Sequence, residues 1–142
     1  STCATAEPNE PDNQATKAYT VFARPIPDFV VTGVVLTPTS PTAGGTFSAA
    51  VTVKNQGSGG GDGGWLDVWV NQPTVRTCPA TGNAYAAVGS LAAGASKTLT
   101  FPGLSAGVAG TKTFRAFVDS YCGTLEALET NNQTTKAYTV VP

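Results

Sequence analysis

Few residues in this chain can do chemistry, and the first constraint is a residue that is missing. The 142 residues include no histidine. A Ser-His-Asp or Cys-His nucleophile is therefore excluded, and so is any zinc site that needs an imidazole. Three cysteines remain, Cys3, Cys78 and Cys122, with no CxxC pair to hold a metal by thiolates. Oxygen ligands gather late in the chain, at Asp119, Glu126, Glu129, Asn131 and Asn132. That spacing suits calcium, although it is not the EF-hand pattern. Asn and Asp also close turns through their own backbone. Two readings stay open: a structural calcium site on Asp119, Glu126, Glu129 and Asn132, or a capped turn. Carboxylate pairs that hydrolyse glycosides need a cleft, and no sequence feature indicates one. The run NQGSGGGDGG (55–64) lacks GxxxxGK[ST] and precedes no helical pattern, so it is not a phosphate loop. No catalytic residue is assigned. Asn132-Gln133-Thr134 is a glycosylation sequon.

Aromatic residues supply a second candidate surface. If Leu66, Val68 and Val70 point inward on one strand, Trp65, Asp67 and Trp69 point outward. On the strand 111–120, Phe114, Ala116 and Val118 face the core, leaving Arg115, Phe117 and Asp119 outside. As sheet neighbours these strands would place Trp65, Trp69, Arg115 and Phe117 in one exposed patch, which marks a contact surface. Three uses are open. The patch packs against another copy, it stacks sugar rings, or the loop 71–84 folds over it with Arg115 stacked on a tryptophan.

These residues need elements to position them, and composition narrows the choice. Charged residues make up 12% with a formal net charge of −1. No basic patch for nucleic acid exists, and no apolar run reaches the length of a membrane span. The 22 Thr, 16 Gly and 10 Pro disfavour helices. The sequence also repeats itself. Residues 1–21 align without a gap on residues 120–140 at an offset of 119, with 13 of 21 positions identical. Residues 1–21 are thus expected to be the tail of a preceding unit, with one strand at 14–21 that needs a partner outside this segment. A second reading makes that strand a donor to a neighbouring subunit. Residues 22–28, FARPIPD, form a semi-rigid spacer, and 29–142 form one complete unit.

In that unit, short strands alternate with turn signals: 29–36, 46–54, 65–70, 85–88, 96–101, 111–120 and 134–141. In the second, Phe47, Ala49, Val51 and Val53 share one face. The pattern predicts an all-β fold, an antiparallel seven-stranded immunoglobulin-like β-sandwich.

Three stretches, PDFVVTGVVLTPTSPTAGGTFSAAVTVKNQGSG, VGSLAAGASKTLTF and FRAFVDSYCGTLEALETNNQTTKAYTV, resemble the bacterial cell-adhesion-related domain, CARDB. The likeness spans Pro27 to Val140. It implies a seven-stranded sandwich, an extracellular or cell-surface setting, and tandem copies in long secreted proteins. Two cysteines per unit and the long loop 71–84 depart from the commoner form.

Cys3 and Cys122 hold the same repeat position, so each unit owns Cys78 and Cys122. In a secreted chain an even count reads as a disulfide, worth about 4 kcal/mol for closing this loop. A bond between neighbouring units or chains is the rival. The geometry demands that loop 71–84 fold back toward Cys122. The function expected is that of a non-catalytic structural or adhesive repeat in a stalk or extracellular filament, partnered by neighbouring copies. The alternative is a carbohydrate-binding accessory module of a secreted hydrolase, partnered by surface polysaccharide.

Overall fold

The computed structural model describes residues 14–142. The described residues form β1 (Phe29–Thr37), β2 (Thr46–Asn55), β3 (Gly61–Asp62), β4 (Trp65–Trp69), β5 (Ala84–Ala87), β6 (Ser90–Leu91), β7 (Ser96–Ser105), β8 (Gly110–Val118) and β9 (Gln133–Val140). One sheet has the order β1-β2-β7 and the other β5-β4-β8-β9; β3 and β6 make a small ribbon between turns. Every pairing of these strands is antiparallel. The architecture is the immunoglobulin-like β-sandwich that the alternation predicts. Nine strands replace seven because β3 and β6 have two residues each, too short to carry a period of two.

Alternation builds the core. Phe47, Ala49, Val51 and Val53 of β2 are all buried, as are Leu66 and Val68 of β4 and Phe114, Ala116 and Val118 of β8. They pack with Phe29, Leu36, Leu99, Phe101, Tyr138 and Val140 into one cluster between the sheets. Strand β7 runs four residues beyond the expected end at Phe101. Pro102 and Gly103 lie within it, opposite a register shift between Phe47 and Ala49 of β2. A residue without an N–H beside a glycine at φ +67° is absorbed as a bulge, so the strand continues.

The sandwich has two distinct poles. Phe29 opposite Asn55, Lys54 opposite Ser96, and Phe117 opposite Gln133 mark one end. Turns 55–64, 88–95 and 119–132 cap this entry pole. Thr46 opposite Ser105 and Gly110 opposite Val140 mark the exit pole. There Val141 donates its N–H to Pro41 O, and Ala43 N–H donates to Val141 O.

The spacer 22–28 is only partly free. Gly59 N–H donates to Ile26 O, Ala127 N–H to Pro27 O, and Gln56 N–H to Asp28 O, so Pro27 and Asp28 are buried. Glycines permit this approach. A Cβ at Gly57 would lie 2.5 Å from Ile26 O, and one at Gly59 would lie 2.6 Å from the Pro25 carbonyl carbon. The glycine-rich run is therefore a cradle for the incoming chain. Residues 14–25 are exposed and carry no regular structure, and the expected strand at 14–21 pairs with no strand among the described residues. Its backbone groups lack an adjacent edge and face water instead. Cys3 and the repeat counterparts of the acidic turn, Glu7, Glu10, Asp12 and Asn13, lie outside the described residues.

Candidate functional site at the entry pole

The turn 119–132 starts from backbone chemistry. Asp119 has φ 47°, a left-handed conformation that Asp tolerates better than most residues. Its carboxylate accepts N–H bonds from Gly123 (3.1 Å) and Thr124 (3.0 Å). Gly64 packs so closely that a Cβ there would meet Asp119 Oδ1 at 2.5 Å. Asp119 is thus a turn cap, as the plainer sequence reading expects.

Glu126 links three pieces of chain. One carboxylate oxygen accepts the Phe29 N–H at the start of β1. The other accepts Asn132 Nδ2 at 2.6 Å, next to the start of β9. Glu126 N–H donates to Glu129 Oε1 at 2.9 Å. Carboxylate oxygens of Asp119, Glu126 and Glu129 lie within 4.8 Å of one another, the first two residues buried and the third exposed. Burial raises the Glu126 carboxyl to about 7, against the two hydrogen bonds and assisted by the charges of Asp119 and Glu129. Asn132 is 2% exposed, and its Oδ1 has no hydrogen-bond partner. All four expected ligand residues thus stand together. The sequon asparagine is buried against Glu126, so it is closed to glycosylation in the folded state.

The disulfide joins Cys78 to Cys122, with Cα atoms 5.8 Å apart. The loop 71–84 does fold back. Gln72 N–H donates to Thr113 O, and Ala80 N–H donates to Ser120 O. Asp67, buried in β4, ties down its far end by accepting Gly82 N–H at 2.7 Å and the Ser120 hydroxyl.

That loop folds over most of the aromatic patch, as the third reading has it, so Trp69, Arg115 and Phe117 are not an open interface or sugar-stacking face. Strands β4 and β8 are neighbours, with Leu66 opposite Val118 and Trp69 opposite Arg115. Yet Trp69 (7% exposed), Arg115 (4%) and Phe117 (3%) are buried; only Trp65 (44%) is open. Trp69 and Phe117 form a second small core with Ala80 and Cys78 of the loop. Arg115 donates to Gln72 O, Pro73 O and Gln133 Oε1. Burial lowers its pKa from the usual guanidinium value. The arginine stacked on a tryptophan is Arg76, 5.9 Å from the Trp69 ring centre, and not Arg115.

Trp65 instead borders a cleft of about 550 Å³ with Asp62, Gly64, Asp119, Tyr121 and Thr124. Tyr85 meets the Trp65 ring edge-on at 5.5 Å. Tyr121, Leu125 and Leu128 are exposed nearby in the sequence, on the same turn. Apolar residues inside an acidic turn were the available signal for this surface.

Two antiparallel sheets packed on one core define an immunoglobulin-like module. The chain belongs to the CARDB family, whose family model matches residues 26–136. This is a family of cell-adhesion-related domains of surface proteins. The crystal structure of a CARDB domain from Pyrococcus furiosus, in complex with di-metal ions, is similar at 27% identity and a TM-score of 0.66. It covers 86% of this chain and 98% of that one. The solution structure of a CARDB domain from the same organism is 25% identical with a TM-score of 0.61, covering 82% and 96%. A domain from Methanosarcina acetivorans, described as part of a cell surface protein, is 25% identical with a TM-score of 0.61, covering 82% and 93%. Among curated proteins no relative matches.

Proposed function

We propose that this domain is a non-catalytic spacer and adhesive unit, one of a tandem array in a secreted surface protein that forms a stalk or extracellular filament. One observation carries the reading. The chain enters at the pole of Ile26 and Phe29 and leaves at the opposite pole, at Val141. Each unit then adds its full length to a string, which suits a stalk. The 119-residue repeat and the cell-surface family support it. The intact mass of the native polypeptide tests it. A mass of several units is expected, and a mass near 14.4 kDa overturns it.

The entry pole also fits a structural divalent cation, which the di-metal complex of the Pyrococcus domain makes pertinent. The donors here are all oxygen, which selects a hard ion such as calcium. Asp119, Glu126, Glu129 and the orphaned Oδ1 of Asn132 would hold it. The ion would supply the positive charge that this cluster lacks, tying turn 119–132 to the start of β1. Calcium chloride added to chelator-treated protein should raise the Tm, and Glu126→Gln should abolish the rise. An unchanged Tm with no heat of binding discards the cation.

A further inference from the structure

Beside its acidic cluster the entry pole exposes large apolar side chains, where an isolated domain would gain from polar ones. Trp65, at the start of β4, and Tyr121, Leu125 and Leu128, on turn 119–132, are all exposed there, Leu125 at 70%. The surface is also firm. Cys78–Cys122 and the Asp119 cap hold the turn that presents it, and Thr124 donates its hydroxyl to Asp62 O at 2.6 Å across the cleft. Exposed apolar patches of this kind mark contact surfaces.

The repeat identifies what lies next to it. At the offset of 119, Val21 corresponds to Val140, the last residue of β9, and Phe22 to Val141. Val141 is held to the exit pole by its hydrogen bonds with Pro41 and Ala43. Ile26 is held to the entry pole by Gly59. Only Ala23, Arg24 and Pro25 separate the two anchor points. Fully extended, the step from Phe22 to Ile26 spans about 14 Å. Turn 119–132 and the preceding unit's exit loops must share that space. In this unit those exit loops expose Val108 and Val141.

We infer that the entry pole is a docking surface for the exit pole of the preceding repeat, which seats on Tyr121, Leu125 and Leu128 and covers the Trp65 cleft. Successive units then form a stiff rod instead of beads on a string. The inference rests on the array reading and adds the contact that sets its stiffness. Short tethers favour it, because they hold the second surface at high effective concentration.

The test is a two-unit chain, residues 1–140 continued directly by residues 22–142, which rebuilds the junction around Phe22. Residual dipolar couplings should give one alignment tensor for both units, and the rotational correlation time should be that of one elongated body. Acrylamide should quench the second unit's Trp65 at least about twofold less than Trp65 in the 142-residue chain. Leu125→Ser with Leu128→Ser in the second unit should separate the tensors while leaving each unit's Tm nearly unchanged. Three glycines inserted after the junction's Arg24 should do the same without touching the folded surface. Independent tumbling of the parent two-unit chain overturns the inference. So does protection of Trp65 by a neutral oligosaccharide such as cellotetraose in a chain whose units tumble separately, which would make the cleft a sugar site. Failure of the array reading appears elsewhere, in the mass of the native polypeptide.

Discussion

Glu126 is a buried carboxyl with two neutral hydrogen-bond donors and two acidic neighbours, Asp119 and Glu129. Its value of about 7 in the fold lies above the 4.5 of a free glutamate carboxyl. The folded state therefore holds the proton more tightly than the unfolded chain does. The sign follows: in metal-free protein its contribution is fully present below about pH 4.5 and is lost as pH rises through 7. The expected loss is on the order of 2–3 kcal/mol. Glu126→Gln should flatten that slope, measured by urea melts from pH 4.5 to 8; a wild-type slope of the opposite sign would refute the assignment. Gly59 makes a different residue-scale argument. A methyl there meets the Pro25 backbone, which cannot rotate out of the way. Gly59→Ala should destabilise by about 1–3 kcal/mol. The amides near Pro27 should then exchange faster with solvent, and unchanged exchange would show the cradle to be dispensable.

Among the elements, the loop 71–84 has the largest consequences. It leaves β4, crosses the outer faces of β4 and β8 over Trp69 and Phe117, and reaches Cys122 before returning to β5. Its hold is partly covalent, and the chain-entropy estimate for this closure is about 4 kcal/mol. Cys78→Ser with Cys122→Ser should lower stability by about 2–5 kcal/mol and shift Trp69 emission to the red as the cover loosens. Retention of blue emission would mean that Arg115 and Asp67 hold the loop without the bond. How far the elements could be read from residues varied with their length. The ten-residue alternation of β2 places each side chain correctly. The pairs Gly61–Asp62 and Ser90–Leu91 carry no such pattern, and the Pro102–Gly103 bulge looked like a strand end.

For the whole molecule, the two sheets share one core. Phe114→Ala, at the centre of β8, should cost about 3–5 kcal/mol and lower a single melting transition followed by both circular dichroism and tryptophan fluorescence. Two separate transitions would mean that the sheets are independent. In the proposed array the opposite placement of entry and exit would make such a core a spacer, and the stiff junction proposed above would set how the spacers add.

The amino-acid order alone determined the sandwich and the repeat, and it put Asp119, Glu126, Glu129 and Asn132 into one turn; these follow from spacing within a strand, within a turn or between repeats. Spacing left the partner of Cys122 open between Cys78 and a neighbouring unit, and the fold-back of loop 71–84 decided it. Tertiary structure alone decided which aromatic face meets water. Trp65 and Trp69 are equivalent by alternation, yet one is open and the other lies under a loop. The path of that loop depends on contacts with Thr113, Ser120 and Gln133, some forty to sixty residues away, and a period of two along one strand carries no information about them.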